Sequence, residues 1–340
     1  LLVLARTMEI RKVQITGGSS MMITLPKEWA ETVGLKKNDP VSLDVQNDGS
    51  LIIFPNGMEE RNLSSTKCID VNDISDNDFL YRQLVGAYIA GHNMIELRSN
   101  DKLASEHIDV VSSFVQTSIG LEIIEENDNS IIIQDLMNQS QIRPLKSLER
   151  MEVLVRNMLN DVIDSIEKKD VTLFESMVER DKEVDRIHWL ILRQVSINQR
   201  DPTVARKQGM SIASVTRCSS ISRIIERIGD HAVLMSKNMR YLLGECPPNM
   251  MESSMVAAGR DAIKLFSDSI KTWKTKDMVS ANACIERGKI LANKVFENSN
   301  RVNEFTGKAA ISTGLIIESV KRIIEYSMDI SEIAINATME

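Results

Sequence analysis

The feature that most constrains this chain is a helical phrase that occurs twice. Residues 223–231 read Arg-Ile-Ile-Glu-Arg-Ile-Gly-Asp-His, and residues 322–330 read Arg-Ile-Ile-Glu-Tyr-Ser-Met-Asp-Ile. Five of these residues recur at an interval of 99 positions, which predicts a duplicated helical module. In both copies Glu and Asp are four residues apart, so their like charges share one helix face and repel each other unless a cation offsets them.

The whole second half of the chain is periodic in the way that helices require. Apolar residues recur at helical spacing from about residue 145 to the end. The predicted helices fall into two sets of three, at 147–168, 170–198 and 207–243, and at 250–275, 277–302 and 308–336. Glu179-Arg180 recurs as Glu286-Arg287, 107 positions later. We therefore predict an all-α tandem pair of three-helix bundles, at residues 145–246 and 247–340.

The first half of the chain predicts two smaller units. Residues 8–57 have a β-β-α-β-β pattern that ends in a hairpin, with strands at 41–45 and 51–54 on either side of Asp48-Gly49. About 50 residues bury too little apolar surface to be stable alone, so we expect this head to dimerise. Residues 58–144 begin with a polar linker and then alternate strands with helices, which predicts a small α/β connecting domain whose role the sequence leaves open.

Composition excludes several classes of protein. The formal net charge of −7 argues against nonspecific nucleic-acid binding by the whole chain, although a local basic patch is compatible with it. The four cysteines stand alone and form no Cys-x-x-Cys pair, as expected for reduced thiols in the cytoplasm. No apolar run approaches the roughly 20 residues that span a bilayer. We expect Met8 to be the true start and residues 1–7 to be an upstream artefact.

A second acidic group lies on the second helix of the first repeat. Asp181 and Asp185 are four residues apart, so antiparallel packing against the third helix would bring them to Glu226 and Asp230. Hard cations prefer such carboxylate oxygens. The apolar stripe of the third helix faces away from Glu226 and Asp230, which places both on a polar face. The spacing therefore leaves two interpretations open, a solvated surface with weak ion pairs and an open surface metal cluster.

The head contains a recognisable pattern. Leu25-Pro26-Lys27-Glu28 is followed by Gly34-Leu35 and Asp39, and in this respect residues 8–57 resemble a SpoVT/AbrB-type swapped-hairpin domain. The resemblance implies two interleaved chains that bind DNA through basic residues of the first strand and nearby loops, here Arg11, Lys12 and Lys27. Since residues 8–57 hold five basic and six acidic side chains, DNA binding and pure dimerisation both stay open.

The acidic phrases carry a second resemblance. Glu-x-Asp-x-x-x-Asp at 179–185 and Glu-Arg-Ile-Gly-Asp-His at 226–231 make residues 147–245 and 250–340 similar to the two repeats of PhoU proteins, regulators of phosphate uptake. The resemblance implies a multinuclear iron or zinc cluster near the surface. The implied ligands are Glu179, Asp181, Asp185, Glu226 and Asp230, with Glu325 and Asp329 remaining in the second repeat.

The second repeat departs from the acidic pattern. Gly288 and Ala292 stand where the second helix should carry its two aspartates, so we expect a weaker second site or none. His231 has no counterpart either, since Ile330 replaces it, and we do not include it among the ligands.

An AbrB-like head joined through an α/β segment to a PhoU pair resembles the phosphate-uptake regulators described for archaea. This implies a non-enzymatic, cytoplasmic homodimer that limits phosphate import by contacting the ATP-driven phosphate transporter or its signalling partner. It would meet the membrane only through the transporter, and its head could bind promoter DNA. The alternative is an AbrB-type transcriptional regulator whose helical part is a metal-binding effector or oligomerisation module. A metal-dependent hydrolase or oxidase lacks support, since the sequence has no Glu-x-x-His pair and no Gly-rich phosphate loop.

Overall fold

The computed structural model describes nine stretches of the chain, namely residues 9–18, 20–45, 49–55, 65–137, 142–168, 173–245, 252–298, 302 and 306–339. The predictions for residues 1–7, for most of the linker and for Asp48 of the hairpin turn lie outside them. The chain divides into two units, residues 1–63 and residues 64–340. None of the helices in these stretches is both long enough and apolar enough to cross a membrane.

The first unit contains two short antiparallel hairpins and one helix. Their bounds are β1 (Gln14–Thr16), β2 (Ser20–Met22), α1 (Lys27–Thr32), β3 (Val41–Val45) and β4 (Leu51–Pro55). Helix α1 follows Pro26, and Gly34 takes a φ of +69° just beyond it, which suits a residue without a Cβ. The predicted hairpin of β3 and β4 is confirmed, with Val41 opposite Pro55 and Val45 opposite Leu51.

The first two strands are shorter than predicted. The alternation of apolar residues predicts strands at 9–16 and 21–25, whereas pairing is limited to three residue pairs, from Gln14 opposite Met22 to Thr16 opposite Ser20. A strand persists only where a neighbour accepts its backbone hydrogen bonds, and within one chain the short β2 offers no partner to residues 9–13.

The described residues of the first unit bury almost none of their apolar side chains within one copy. Helix α1 has no buried residue, and β1 and β2 are exposed throughout. Ile10 is 92% exposed, Met21 80% and Val45 75%. Leaving so much apolar surface in water is unfavourable by about 25 cal/mol per Å². Within residues 9–18, 20–45 and 49–55 there is therefore no core that would stabilise the unit as a single copy.

The second unit begins with a two-layer α/β fold. Its elements are β5 (Thr66–Asp70), α2 (Asn77–Ile89), β6 (Met94–Arg98), α3 (Ser105–Thr117), β7 (Leu121–Asn127) and β8 (Ser130–Asp135). The strand order is β5-β6-β8-β7, with β5 and β6 parallel and the other pairs antiparallel. One face of the sheet supplies Ile95, Leu97 and Ile133 to a core that Leu84 and Phe114 complete. The predicted strands and helices of this part are confirmed.

The helical part follows directly. Its elements are α4 (Pro144–Lys168), α5 (Leu173–Arg200), α6 (Pro202–Lys207), α7 (Ile212–Glu245), α8 (Glu252–Thr275), α9 (Met278–Asn298) and α10 (Gly307–Asn336). The predicted start of the third helix at residue 207 is wrong, because residues 202–207 form the separate helix α6. Asp201 caps α6 by accepting a hydrogen bond from the Thr203 N–H, and Gly209, at a φ of +71°, turns the chain before α7.

The duplication is visible in equivalent contacts. Arg180 on α5 pairs with Asp161 on α4, and Arg287 on α9 pairs in the same way with Asp268 on α8, 107 positions later. The buried apolar side chains of α4, α5 and α7 continue into those of α8, α9 and α10 as one core. The two three-helix modules thus share a single interior. The predicted domain boundaries after residues 144 and 246 remain a prediction.

Helix α5 joins the α/β part to the helical part through a buried arginine. The Arg193 guanidinium donates to the carbonyl oxygens of Tyr88 at 2.6 Å and His92 at 2.9 Å, and to Oδ2 of Asp135 at 2.5 Å. It also lies 4.8 Å from the centre of the Tyr88 ring. Nearby, the Trp189 ring packs edge-on against Tyr81. The α/β domain is consequently docked on the first repeat.

Candidate metal centre

Helices α5 and α7 bring four carboxylates into one electrostatic group. Asp181 and Asp185 project from α5, and Glu226 and Asp230 project from α7. The charge of Asp230 acts on Asp181, and the charges of Asp181, Glu226 and Asp230 all act on Asp185. We call these four side chains the acid cluster. Of the seven residues that the sequence predicts as metal ligands, these are the four that the fold brings together.

Burial raises the pKa of every member of the acid cluster, and repulsion by neighbouring carboxylates raises it further for Asp181, Asp185 and Glu226. Burial, followed by the charge of Asp230, raises the pKa of Asp181 to about 6. Burial, followed by the three neighbouring carboxylates, raises the pKa of Asp185 to about 7. The pKa values of Glu226 and Asp230 are also raised, mainly by burial. The folded structure therefore disfavours the ionised form of these four carboxyl groups.

No side chain in the described part of the chain offsets this charge by direct contact. None of the four carboxylates takes part in a hydrogen bond or an ion pair there, although Arg223 and Arg227 lower the pKa values of Glu226 and Asp230 through their charges. The neighbouring Glu183, by contrast, pairs with both Arg150 and Arg186. The interpretation as a surface of weak ion pairs does not describe the acid cluster.

Asp181 lies beside a glycine of the opposite acidic helix. A Cβ on Gly229 would lie 3.6 Å from Oδ1 of Asp181, 3.5 Å from Cγ2 of Val155 and 3.6 Å from Cγ1 of Val184. Asp181 therefore lies against the backbone of α7, at the residue before Asp230. From the sequence, this glycine is visible only as one residue of the repeated phrase. The only sequence sign of its role is that a glycine lies in the middle of a helix, where no turn requires one.

Glu179 lies apart from the acid cluster. Its side chain is 71% exposed, and its Oε1 accepts from Nζ of Lys182 at 2.7 Å. Residues two apart on a helix point in nearly opposite directions, so Glu179 and Asp181 do not share a face. The ligand role that the resemblance implies for Glu179 thus has no support in this geometry.

One of the two acids of the second repeat, Glu325, has protein partners. Glu325 pairs with Nη1 of Arg322 at 3.0 Å and with Nζ of Lys321 at 3.6 Å. Burial and the charges of Glu332 and Glu325 raise the pKa of Asp329, while Arg227 of the first repeat lowers it. With Gly288 and Ala292 opposite them, Glu325 and Asp329 form only half of an acid cluster.

The chemistry of the acid cluster suits a hard cation, whereas its side-chain positions do not yet converge on one. Carboxylate oxygens are the donors that such cations prefer. All four carboxylates of the acid cluster lack a protein partner among the described residues. Within the same residues, no group of three or more His, Cys, Asp or Glu side chains has the arrangement needed to hold a metal ion. Metal binding would therefore require these carboxylates to rotate towards one another.

His231 contributes to packing rather than to the acid cluster. Its Nδ1 lies 3.1 Å from Oγ of Ser319, and its ring centre lies 5.9 Å from that of Tyr326. Both contacts are with α10, so this histidine joins α7 of the first repeat to the third helix of the second.

The three basic residues predicted for DNA lie on the surface of the first unit. Lys27 is 88% exposed and lies 3.7 Å from Glu31, while Arg11 pairs with Glu9. Lys12 is exposed. Each of the two paired residues therefore carries an acidic neighbour, which reduces its attraction to phosphate.

Two family models match the chain. Residues 148–239 match the PhoU domain, and residues 14–61 match the domain described as antidote-toxin recognition MazE, bacterial antitoxin. The PhoU match contains the whole acid cluster. The MazE match contains Lys27 but begins after Arg11 and Lys12.

Curated relatives carry one name, phosphate-specific transport system accessory protein PhoU homolog. The protein from Pseudomonas putida is 36% identical over 90 residues, which are 26% of this chain and 32% of that protein. The one from Caulobacter vibrioides is 31% identical over 101 residues, 29% of this chain and 41% of the relative. The one from Clostridium acetobutylicum is 23% identical over 184 residues, 49% of this chain and 81% of the relative. The chain thus spans about a third of the length of the Pseudomonas relative.

Two solved structures are also similar. PhoU from Pseudomonas aeruginosa aligns with a TM-score of 0.48 and 16% identity, over 58% of this chain and 95% of that one. The phosphate transport system regulatory protein PhoU from Streptococcus pneumoniae aligns with a TM-score of 0.46 and 14% identity, over 58% and 94%. The chain is therefore similar to a PhoU domain over residues 148–239 and to a MazE-type antitoxin domain over residues 14–61.

Proposed function

We propose that this protein is a non-enzymatic regulator of phosphate uptake and intracellular phosphate homeostasis. It limits phosphate import by contacting the ATP-driven phosphate transporter, or a signalling partner of that transporter, from the cytoplasm. The observation that carries the proposal is the PhoU match over residues 148–239, since the relatives that match this region are named as accessory proteins of a phosphate-specific transport system.

The first repeat binds a multinuclear iron or zinc cluster in this proposal. Asp181, Asp185, Glu226 and Asp230 supply the oxygen ligands, and a bound cation relieves the repulsion that raises their pKa values. The role of the metal is structural and electrostatic, because it converts a patch of repelling charges into a surface of lower charge that a partner can contact.

Metal content tests the site directly. Asp230→Ala should lower the iron or zinc that copurifies with the native protein, as measured by elemental analysis, because it removes one of the four proposed donors. Asp329→Ala should lower it much less, because Gly288 and Ala292 leave the second repeat with half a donor set. Glu179→Gln is the matched control within the first repeat, since Glu179 pairs with Lys182 instead. Unchanged metal content in Asp230→Ala, or equal losses in all three variants, would reject the assignment.

The regulatory role is tested in cells that lack the gene. Deletion should raise the uptake of radiolabelled phosphate under phosphate-rich conditions, and the intact gene should restore low uptake. An affinity pull-down from phosphate-rich and phosphate-starved cells should recover subunits of the phosphate transporter with the intact protein. If phosphate uptake is unaltered and no transporter subunits are recovered, the proposed regulatory role is wrong.

A second candidate function follows from the first unit. Its match to the MazE antitoxin model and its exposed apolar strands favour a head that dimerises and binds promoter DNA through Arg11, Lys12 and Lys27. In that alternative the helical part is an effector or oligomerisation module. A gel shift on DNA upstream of the gene should show binding that weakens with salt, because phosphate contacts release counterions. Absence of a shift at low salt would eliminate the DNA role and leave dimerisation alone.

A further inference from the structure

A group of basic side chains lies where the end of α5 meets the α/β domain. Arg200, the last residue of α5, donates through Nη1 to Oγ of Ser65 at 3.4 Å. The same hydroxyl oxygen lies 3.1 Å from Nδ1 of His92. Lys67 follows two residues after Ser65, on β5. We call these four residues the basic cluster, and the Ser65 hydroxyl is the point at which its guanidinium and its imidazole meet.

The backbone at Gly91 helps to position the guanidinium of Arg200. A Cβ on Gly91 would lie 3.3 Å from Nη2 of Arg200 and 2.8 Å from Cγ1 of Ile197. One amino group of the guanidinium therefore lies beside the turn that precedes His92, while the other reaches Ser65. The guanidinium is a planar fork of donors, and such a fork matches two oxygens of a phosphate group.

The strongest charges that act on the basic cluster are positive. Burial, followed by the charge of Arg200, lowers the pKa of His92, and the charges of Lys67 and Arg193 add to this effect. Burial, followed by the charge of Arg193, lowers the pKa of Arg200. Cations that are close together disfavour one another, and a bound anion would relieve this repulsion.

Two neighbouring acids are engaged elsewhere. Asp201 follows Arg200 directly, but its Oδ1 accepts from the backbone N–H and the hydroxyl of Thr203, at 3.0 Å and 2.6 Å. Asp135 pairs with the buried Arg193. In the part of the chain that the structure describes, no carboxylate forms an ion pair with the basic cluster. It is therefore the positive counterpart of the acid cluster, at the other end of α5.

We propose that the basic cluster binds a small oxyanion of the phosphate class, namely free inorganic phosphate. The Arg200 fork and the Ser65 hydroxyl supply hydrogen-bond donors, Lys67 adds positive charge, and the His92 imidazole can supply an N–H. Since Ser65 belongs to the α/β domain and Arg200 to α5, the bound anion strengthens the contact between these two parts. As a site that reports phosphate supply it rests on the proposed function, whereas binding itself rests on these contacts alone.

Calorimetric titration of the full-length protein with inorganic phosphate at physiological salt tests the site. The unaltered chain should bind phosphate saturably. Arg200→Gln should weaken the affinity about tenfold or more, because a charge-assisted hydrogen bond to the anion is lost. Arg200→Lys keeps the charge without the fork and should lose less. Arg82→Gln is the matched control and should bind like the unaltered chain, because Arg82 is 67% exposed on α2 and lies 3.8 Å from Asp78.

The proposal is overturned if the unaltered chain binds no phosphate, or if Arg200→Gln binds as tightly as Arg82→Gln. Circular dichroism checks that each variant is folded, and Ser65→Ala, which removes only a hydroxyl, keeps the test decisive if Arg200→Gln misfolds, since it should also weaken binding. A parallel titration with phosphoserine separates free phosphate from a phosphate ester, and tighter binding of the ester would overturn the assignment to free phosphate. These titrations use the isolated protein, so a failure of the regulatory role in cells would not alter their result.

Discussion

At the scale of single residues, the balance between paired and unpaired charges distinguishes the acid cluster from the buried ion pair that joins the α/β and helical parts. Arg193 and Asp135 are buried together, with 0% and 3% of their side chains exposed, and they compensate each other. The acid cluster is less buried, yet its members have no direct hydrogen bond or ion pair among the described residues, and this contrast marks it as a candidate place for a ligand to stabilise the fold. Both residue-scale predictions follow from this contrast.

The stability of the metal-free protein should fall as pH rises through the pKa values of the acid cluster. Asp181 and Asp185 bind protons more tightly in the folded state, with pKa values raised from 3.8 to about 6 and about 7. Their contribution is therefore most favourable below the unfolded pKa and is lost as pH rises towards 7. Thermal unfolding in chelator should give a lower Tm at pH 8 than at pH 5. The variant Asp181→Asn/Asp185→Asn should flatten this dependence, and an unchanged slope would show that the two carboxyls are not its source.

Removing the buried arginine should destabilise the protein strongly. Arg193→Met leaves the Asp135 charge buried without its guanidinium and frees two buried carbonyl oxygens, so we expect a loss of about 3–5 kcal/mol in the free energy of unfolding. Urea denaturation measures this. Arg82→Met is the control, because Arg82 is 67% exposed and its ion pair with Asp78 should contribute less than about 1 kcal/mol. Similar losses in both variants would contradict the structural role of Arg193.

At the scale of elements, α5 has two roles along its length. Its first half carries Asp181 and Asp185 of the acid cluster, and its second half carries Trp189 and Arg193, which contact the α/β domain. Gly91, just after α2, makes this contact close, since a Cβ there would lie 2.8 Å from Cγ1 of Ile197. The α/β domain is therefore positioned by the same helix that positions half of the candidate metal centre.

Two glycines, one inside α2 and one just after it, should respond in opposite directions to alanine. Gly91 has a φ of +79° and no room for a Cβ, so Gly91→Ala should lower the free energy of unfolding by more than about 1 kcal/mol. Gly86 lies inside α2, and a Cβ added there would have no atom within 4 Å, so Gly86→Ala should raise it by about 0.5–1 kcal/mol. Urea denaturation of both variants provides the comparison. Stabilisation by Gly91→Ala would show that the docked arrangement of α2 and α5 is incorrect.

At the scale of the whole molecule, the two units differ in how much of themselves they bury. Residues 64–340 bury extensive apolar cores in both their α/β and helical parts, whereas the first unit leaves Ile10, Met21 and Val45 largely exposed. A unit without a core is stabilised by association, and a second copy of the same hairpins is the partner that the AbrB-like pattern implies.

Deleting residues 1–57 should therefore reduce the oligomeric mass. We expect the full chain to be a homodimer in solution and the deletion variant to have about half its mass, as measured by light scattering. A control at the opposite end, Asp329→Ala, should leave the mass unchanged because it lies outside the exposed strands. An equal mass before and after the deletion would reject dimerisation through the first unit.

The periodicity of apolar residues predicts most of the helices and strands of this fold. The tandem helices, the β3–β4 hairpin and the α/β alternation are all local patterns of apolar spacing, and the structure confirms them. The errors lie where local pattern is insufficient. Residues 9–13 alternate like a strand but have no partner within one chain, and residues 202–207 form a separate helix because Asp201 and Gly209 interrupt the run.

For the candidate site, sequence alone determined which residues are acidic, their four-residue spacing, and the absence of two acids from the second repeat. Only the tertiary structure decided which of them meet. Asp181 packs beside Gly229 of α7 and within reach of the Asp230 charge, Glu179 turns away to Lys182, and in the second repeat Met328 lies beside Gly288. The physical reason is that spacing along one helix sets the direction of a side chain, whereas the volume between two helices, which depends on residues distant in sequence, sets whether it has room.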